Sequence, residues 1–107
     1  MPTSIASGTQ AATVGTEHTL ATDTTNKTYV LAVDAGAMVN GDELELRLYT
    51  IVLSAGTERL AFYAKFPNVQ ASPQLYSPPV PADISCKATL KQTAGTGRSF
   101  PWKLLSV

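Results

Sequence analysis

His18 is the one imidazole in the chain and Cys86 the one thiol. General-base, nucleophile and metal-ligand chemistry therefore have little to draw on. His18 lies on an alternating stretch between Val14 and Leu20, the setting of a half-buried, hydrogen-bonded strand histidine rather than a base. Cys86 shares its phase with Ile84 and Leu90, which predicts a buried, inert thiol. Glu43 and Glu45 alternate along one strand face with Arg47 next in line. At about 7 Å per two residues this reads as a solvated charged stripe or an inter-subunit contact, not a carboxylate pair. Asp34, Asn40 and Asp42 miss the calcium-loop spacing, and no bidentate Glu trails them. Gly95-Thr96-Gly97-Arg98 lacks the third glycine and the helix of a phosphate loop, and Pro101 points to strand or turn instead. The expectation is no catalytic residue, no metal, no cofactor and no enzyme. Three tyrosines, Tyr49, Tyr63 and Tyr76, fall on or near polar phases, where rings serve sugar or protein partners equally. Phe62, Phe66, Phe100 and Trp102 read as core or core rim.

The elements that position these residues are strands. In Gly41–Phe66, Leu44, Leu46 and Leu48 alternate with Glu43, Glu45 and Arg47, one buried face against one solvated face. Leu60, Phe62, Ala64 and Phe66 form the matching phase of a return strand, with the turn at Ser54–Thr57. Ile51 and Leu53 occupy the phase that Glu45 and Arg47 held. Either a bulge near Thr50 shifts the register, or a partner subunit covers the far end on both faces. Thr13–Ala21 and Thr28–Asp34 predict two earlier strands. The second is apolar on both faces (Tyr29, Leu31 and Val33; Val30 and Ala32) and hence central. Residues 35–40 connect onward, with room for one helical turn around Met38.

Prolines at 67, 73, 78, 79 and 81 exclude a helix from Pro67–Asp83. They leave an extended crossover with at most a short edge strand near Gln74–Tyr76. Residues 84–91 alternate cleanly, Ala94–Gly97 turns, and Phe100–Val107 closes the chain. Six to eight short strands without a convincing helix predict an all-β, single-domain antiparallel β-sandwich or compact barrel with jelly-roll or Greek-key connections. Residues 13–107 form that domain. Residues 1–12 are an edge strand or an extended arm ordered against a neighbouring subunit, with Ile5 as an anchor.

Composition narrows the function. The 107 residues carry 15% charged side chains and a formal net charge of zero, with no basic cluster for nucleic acid. No apolar run approaches a membrane span. The start MPTSIASGTQ lacks the basic and apolar regions of a secretory signal, and the lone cysteine needs no oxidising compartment. Synthesis in the cytoplasm is expected. A neutral, weakly charged surface offers little repulsion to close neighbours.

Three blocks, Gly15–Ala21, Asn40–Arg47 and above all Leu90–Trp102 (LKQTAGTGRSFPW), resemble small β-rich proteins encoded among the virion structural genes of tailed bacteriophages and prophages. The likeness covers nearly the whole chain. It implies a non-enzymatic virion component made in the bacterial cytoplasm and carries over no catalytic residue. The leading expectation is a capsid decoration or minor head protein that binds the major capsid protein or other virion proteins, as a homo-oligomer or as lattice-bound copies. A neck or tail component is the alternative within that class, and a carbohydrate-binding module for host attachment the alternative outside it. The candidate partner contacts are Ile5, Tyr49, Ile51, Leu53 and Tyr63.

Overall fold

The computed structural model describes residues 2–107; Met1 lies outside the described residues. Nine strands appear among the described residues: β1 (Thr3–Ala11), β2 (Glu17–Asp23), β3 (Lys27–Asp34), β4 (Glu43–Thr50), β5 (Arg59–Pro67), β6 (Gln74–Tyr76), β7 (Val80–Ala82), β8 (Cys86–Ala94) and β9 (Ser99–Ser106). They form two antiparallel sheets. One runs β1-β9-β3-β6, with β7 also pairing β3, and the other runs β2-β8-β4-β5. Counting β6 and β7 as one interrupted strand, the strands follow jelly-roll order, crossing between the sheets at every connection except the β4–β5 hairpin, so the sandwich holds and the barrel does not. The described residues contain no helix, and residues 35–40 are turn, although Met38 is buried.

The core comes from the inward phases of both sheets. Tyr29, Leu31, Val33, Phe100 and Leu104 meet Leu44, Leu46, Leu48, Ala88 and Leu90, with Phe62 and Phe66 closing one side. Each fully buried leucine contributes about 1.5–3 kcal/mol of transfer free energy. β3 is central as its two apolar faces predict, lying between β9 and the β6–β7 segment. The prolines interrupt that segment at residues 78–79, and Ser77 bridges the gap. It donates its N–H to the Leu31 carbonyl and accepts the Leu31 N–H on Oγ, both at 2.9 Å. β7 then resumes the pairing, with Thr28 opposite Pro81 at a sheet edge, where a missing N–H is tolerated.

Three boundaries differ from expectation, the first being β8, which runs Cys86–Ala94 rather than over residues 84–91. β2 starts at Glu17 rather than Thr13, because Thr13–Thr16 is a tight turn with Gly15 at φ +88°. The β4–β5 hairpin opens earlier, with strand pairing ending at Thr50 and resuming at Arg59. The anticipated register slip exists, but its extra residue is Ala61 of β5, between the pairs Leu48–Phe62 and Tyr49–Leu60. That bulge turns Leu60 away from the core phase of Phe62 and onto the outer face beside Tyr49.

The block Leu90–Trp102 is a lock on the β8–β9 turn. Buried Asp42 accepts the N–H of Val39 (3.0 Å) and Thr96 (3.2 Å) and the Arg98 guanidinium (2.9 Å). Fully buried Gln92 donates to the carbonyls of Ala94 and Thr96 and accepts the Arg98 N–H. Gly95, at φ +90°, lies against the Asp42 carboxylate, where a Cβ would collide with it. The Gly-Thr-Gly-Arg run is thus spent on structure.

Candidate interaction surface

The predicted chemistry-bearing residues are engaged in the fold. His18 is half-buried, and its Nε2 accepts the Thr13 N–H at 3.0 Å. Cys86 is buried and unpaired, and burial first, then the Asp23 and Glu58 carboxylates, pushes its thiol to about 11. Tyr29 is held up at about 12 by burial and by its hydrogen bond to Asp23. Among the described residues no three His, Cys, Asp or Glu side chains gather into a metal-ligand group. No helix among them is long and apolar enough to cross a membrane.

The outer face of the four-stranded sheet carries a continuous polar network. Register sets Thr19, Thr89, Arg47 and Tyr63 in one row across β2, β8, β4 and β5, with Glu45 and Tyr49 one step either way along β4 and Glu17 in the Glu45 row, opposite Lys91. Arg47 donates to Glu17 (3.0 Å) and Glu45 (2.8 Å). Tyr49 and Thr89 donate to the other Glu17 oxygen, at 2.7 and 2.6 Å. Tyr63 donates to Glu45 at 2.8 Å. These side chains fold over Thr89 so completely that it is only 1% exposed on a nominally outer face. Burial pushes the Glu17 carboxyl up, but the hydroxyls of Thr89 and Tyr49 and the Arg47 guanidinium outweigh it and hold it below its ordinary value. The Tyr49 hydroxyl is raised by burial and by Glu17, and that of Tyr63 by its bond to Glu45.

Cations occupy the rings as well. Lys87 Nζ lies 4.6 Å from the centre of the Tyr49 ring, and the Arg47 guanidinium 5.4 Å from that of Tyr63. Lys87 is itself tied to Glu58 at 3.0 Å. The hydroxyls of both tyrosines are committed, so the network around Arg47 is self-paired.

At one end of this network the character changes. Past the Ala61 bulge the hairpin presents Leu60, 50% exposed, and its loop carries Val52 and Leu53 at 81% and 73%. The loop is a defined turn: Gly56 donates its N–H to the Leu53 carbonyl at 2.8 Å, and Ala55 adopts φ +66°. Of the five residues singled out from sequence, Tyr49, Ile51, Leu53 and Tyr63 belong to this hairpin. Ile5 lies apart, on β1 of the other sheet, half-buried against the core. Val52 and Leu60 escaped the sequence reading. Leu60 sits on the core phase until the bulge moves it.

No protein-family model, curated protein or solved structure matches this chain.

Proposed function

We propose that this protein is a non-enzymatic structural component of a tailed-phage virion, seated on the assembled shell as a decoration or minor head protein. The observation that carries the reading is the apolar end of the β4–β5 hairpin, where Val52, Leu53 and Leu60 project beside a network around Arg47 whose polar groups are already paired. Large apolar side chains held out on an ordered turn suit insertion into a partner's surface. The paired network beside them needs little further desolvation compensation when covered. Jelly rolls also build viral capsid and lectin domains, an analogy at the level of fold. The partner is the major capsid protein or another virion protein, and many identical shell sites accommodate many copies of a neutral chain. A seat at the neck or tail uses the same contact and differs in where the copies lie.

The test is co-sedimentation of purified protein with particles of the phage or prophage that encodes it, after removal of the endogenous copies. Leu53→Ser combined with Val52→Ser is expected to reduce bound protein at least about tenfold, equivalent to about 1.4 kcal/mol. Its unfolding midpoint should stay close to that of the unsubstituted chain, because exposed positions cost within about 0.5 kcal/mol. Undiminished binding by this variant contradicts the proposed contact.

A further inference from the structure

A second site follows from strand register on the opposite sheet. β3 is flanked by β6 and β9, and its outward residues are Val30, Ala32 and Asp34. Ala32 pairs with Tyr76 on one side and Lys103 on the other. A methyl group between two long side chains makes a trough. One step along, Asp34 pairs with Gln74; one step back, Val30 pairs with Leu105. The trough is an open groove of about 450 Å³ along β3, with an apolar floor and with Asp34, Gln74, Tyr76 and Lys103 along its rim. That volume lies within the range of about 300–1,000 Å³ common for ligand clefts.

The trough contrasts with the network on the other sheet. Tyr76 is 60% exposed, and no cation lies over its ring among the described residues. Asp34 commits one carboxylate oxygen, to the Gly36 N–H at 2.9 Å. The side chains of Gln74, Tyr76 and Lys103 enter no hydrogen bond or ion pair among the described residues. An open ring, an acceptor, an amide that both donates and accepts, and a cationic donor thus border one cleft with their capacity unspent. A wholly apolar ligand leaves those polar groups without partners, and a simple anion is opposed by Asp34. A pyranose matches the set: its C–H face stacks on a ring while its hydroxyls both donate and accept around the rim.

We propose that the trough along β3 is a saccharide-binding site, with Tyr76 as the stacking platform and Asp34, Gln74 and Lys103 as the groups that bond the sugar hydroxyls. This site is independent of the shell contact, on the other sheet from the β4–β5 hairpin. It assigns sugar recognition to Tyr76 rather than to Tyr49 and Tyr63, whose hydroxyls are taken and whose rings face cations.

The test is an amide NMR titration of the isolated full chain with soluble oligomers of glucose, of N-acetylglucosamine and of galacturonate. Saturable shifts are expected for at least one of them, confined to residues 32–34, 74–76 and 101–105. Tyr76→Ala and, separately, Asp34→Asn should each weaken that binding at least about tenfold, with the folded spectrum retained, whereas Tyr49→Phe should leave it unchanged. Shifts centred on Tyr49 and Tyr63, or no saturable binding to any of the three oligomers, overturn the proposal. Because no particle is present, these outcomes are separate from the success or failure of shell binding.

Discussion

Asp42 shows how one side chain governs a distant turn. Its carboxylate links the β3–β4 connection to the β8–β9 turn through Val39, Thr96 and Arg98. Burial raises its pKa, but the Val39 amide, the Arg98 guanidinium and the Thr96 amide together bring it below the ordinary 3.8. A folded-state pKa below the unfolded value adds stability that is fully present above the unfolded value and is lost as pH falls through the folded one. Asp42→Asn is therefore expected to lower stability at pH 7 by about 1–3 kcal/mol, since a charged hydrogen bond is removed. The loss should shrink below about pH 4, where the unsubstituted chain gives up the same term. Urea midpoints for both proteins from pH 7 to pH 2.5 measure this, and a difference independent of pH contradicts it. This lock was invisible in the sequence. Ala94–Arg98 reads as turn chemistry, and nothing local says that a carboxylate 56 residues before Arg98 will hold it.

At the scale of elements, alternation was a sound guide wherever one face is buried. Leu44, Leu46 and Leu48, and Cys86, Ala88 and Leu90, all point into the core as their period demands. Pattern alone lost two features. A phase slip in a hairpin does not reveal which strand carries the extra residue, and Ala61 proved to be on β5. β7 is built on Val80-Pro81-Ala82, where proline removes a ladder donor and hides a strand that only an edge position permits. The trough at Ala32 depends on the register of three strands far apart in sequence, so composition gives no hint of it. β1 pairs with β9 along nearly its whole length, and Ile5 and Ala12 pack on the core. Removing residues 2–12 is therefore expected to lower stability by at least about 3 kcal/mol, through lost burial and an unpaired β9. Thermal and urea unfolding measure it; a truncated chain as stable as the full one contradicts β1 as an integral strand. A charged residue at outward-facing Thr9 is the gentler probe of whether the free edge of β1 meets a neighbour.

For the whole molecule, the two outer sheet faces differ in character. The outer face of β2-β8-β4-β5 carries the ion-paired network around Arg47 and ends in an apolar hairpin tip. The outer face of the other sheet holds an open trough with unspent polar groups. A protein that sits on a shell by the first can present the second outward, and formal neutrality lets copies crowd on a lattice without mutual repulsion. Cryo-electron microscopy of the particle whose genome encodes this chain tests the central claim most directly. Density for the sandwich is expected to repeat over the shell, with residues 51–60 buried against a shell protein and the Tyr76 trough facing solvent. Absence of the chain from the particle, or copies bound with Val52 and Leu53 exposed, contradicts it.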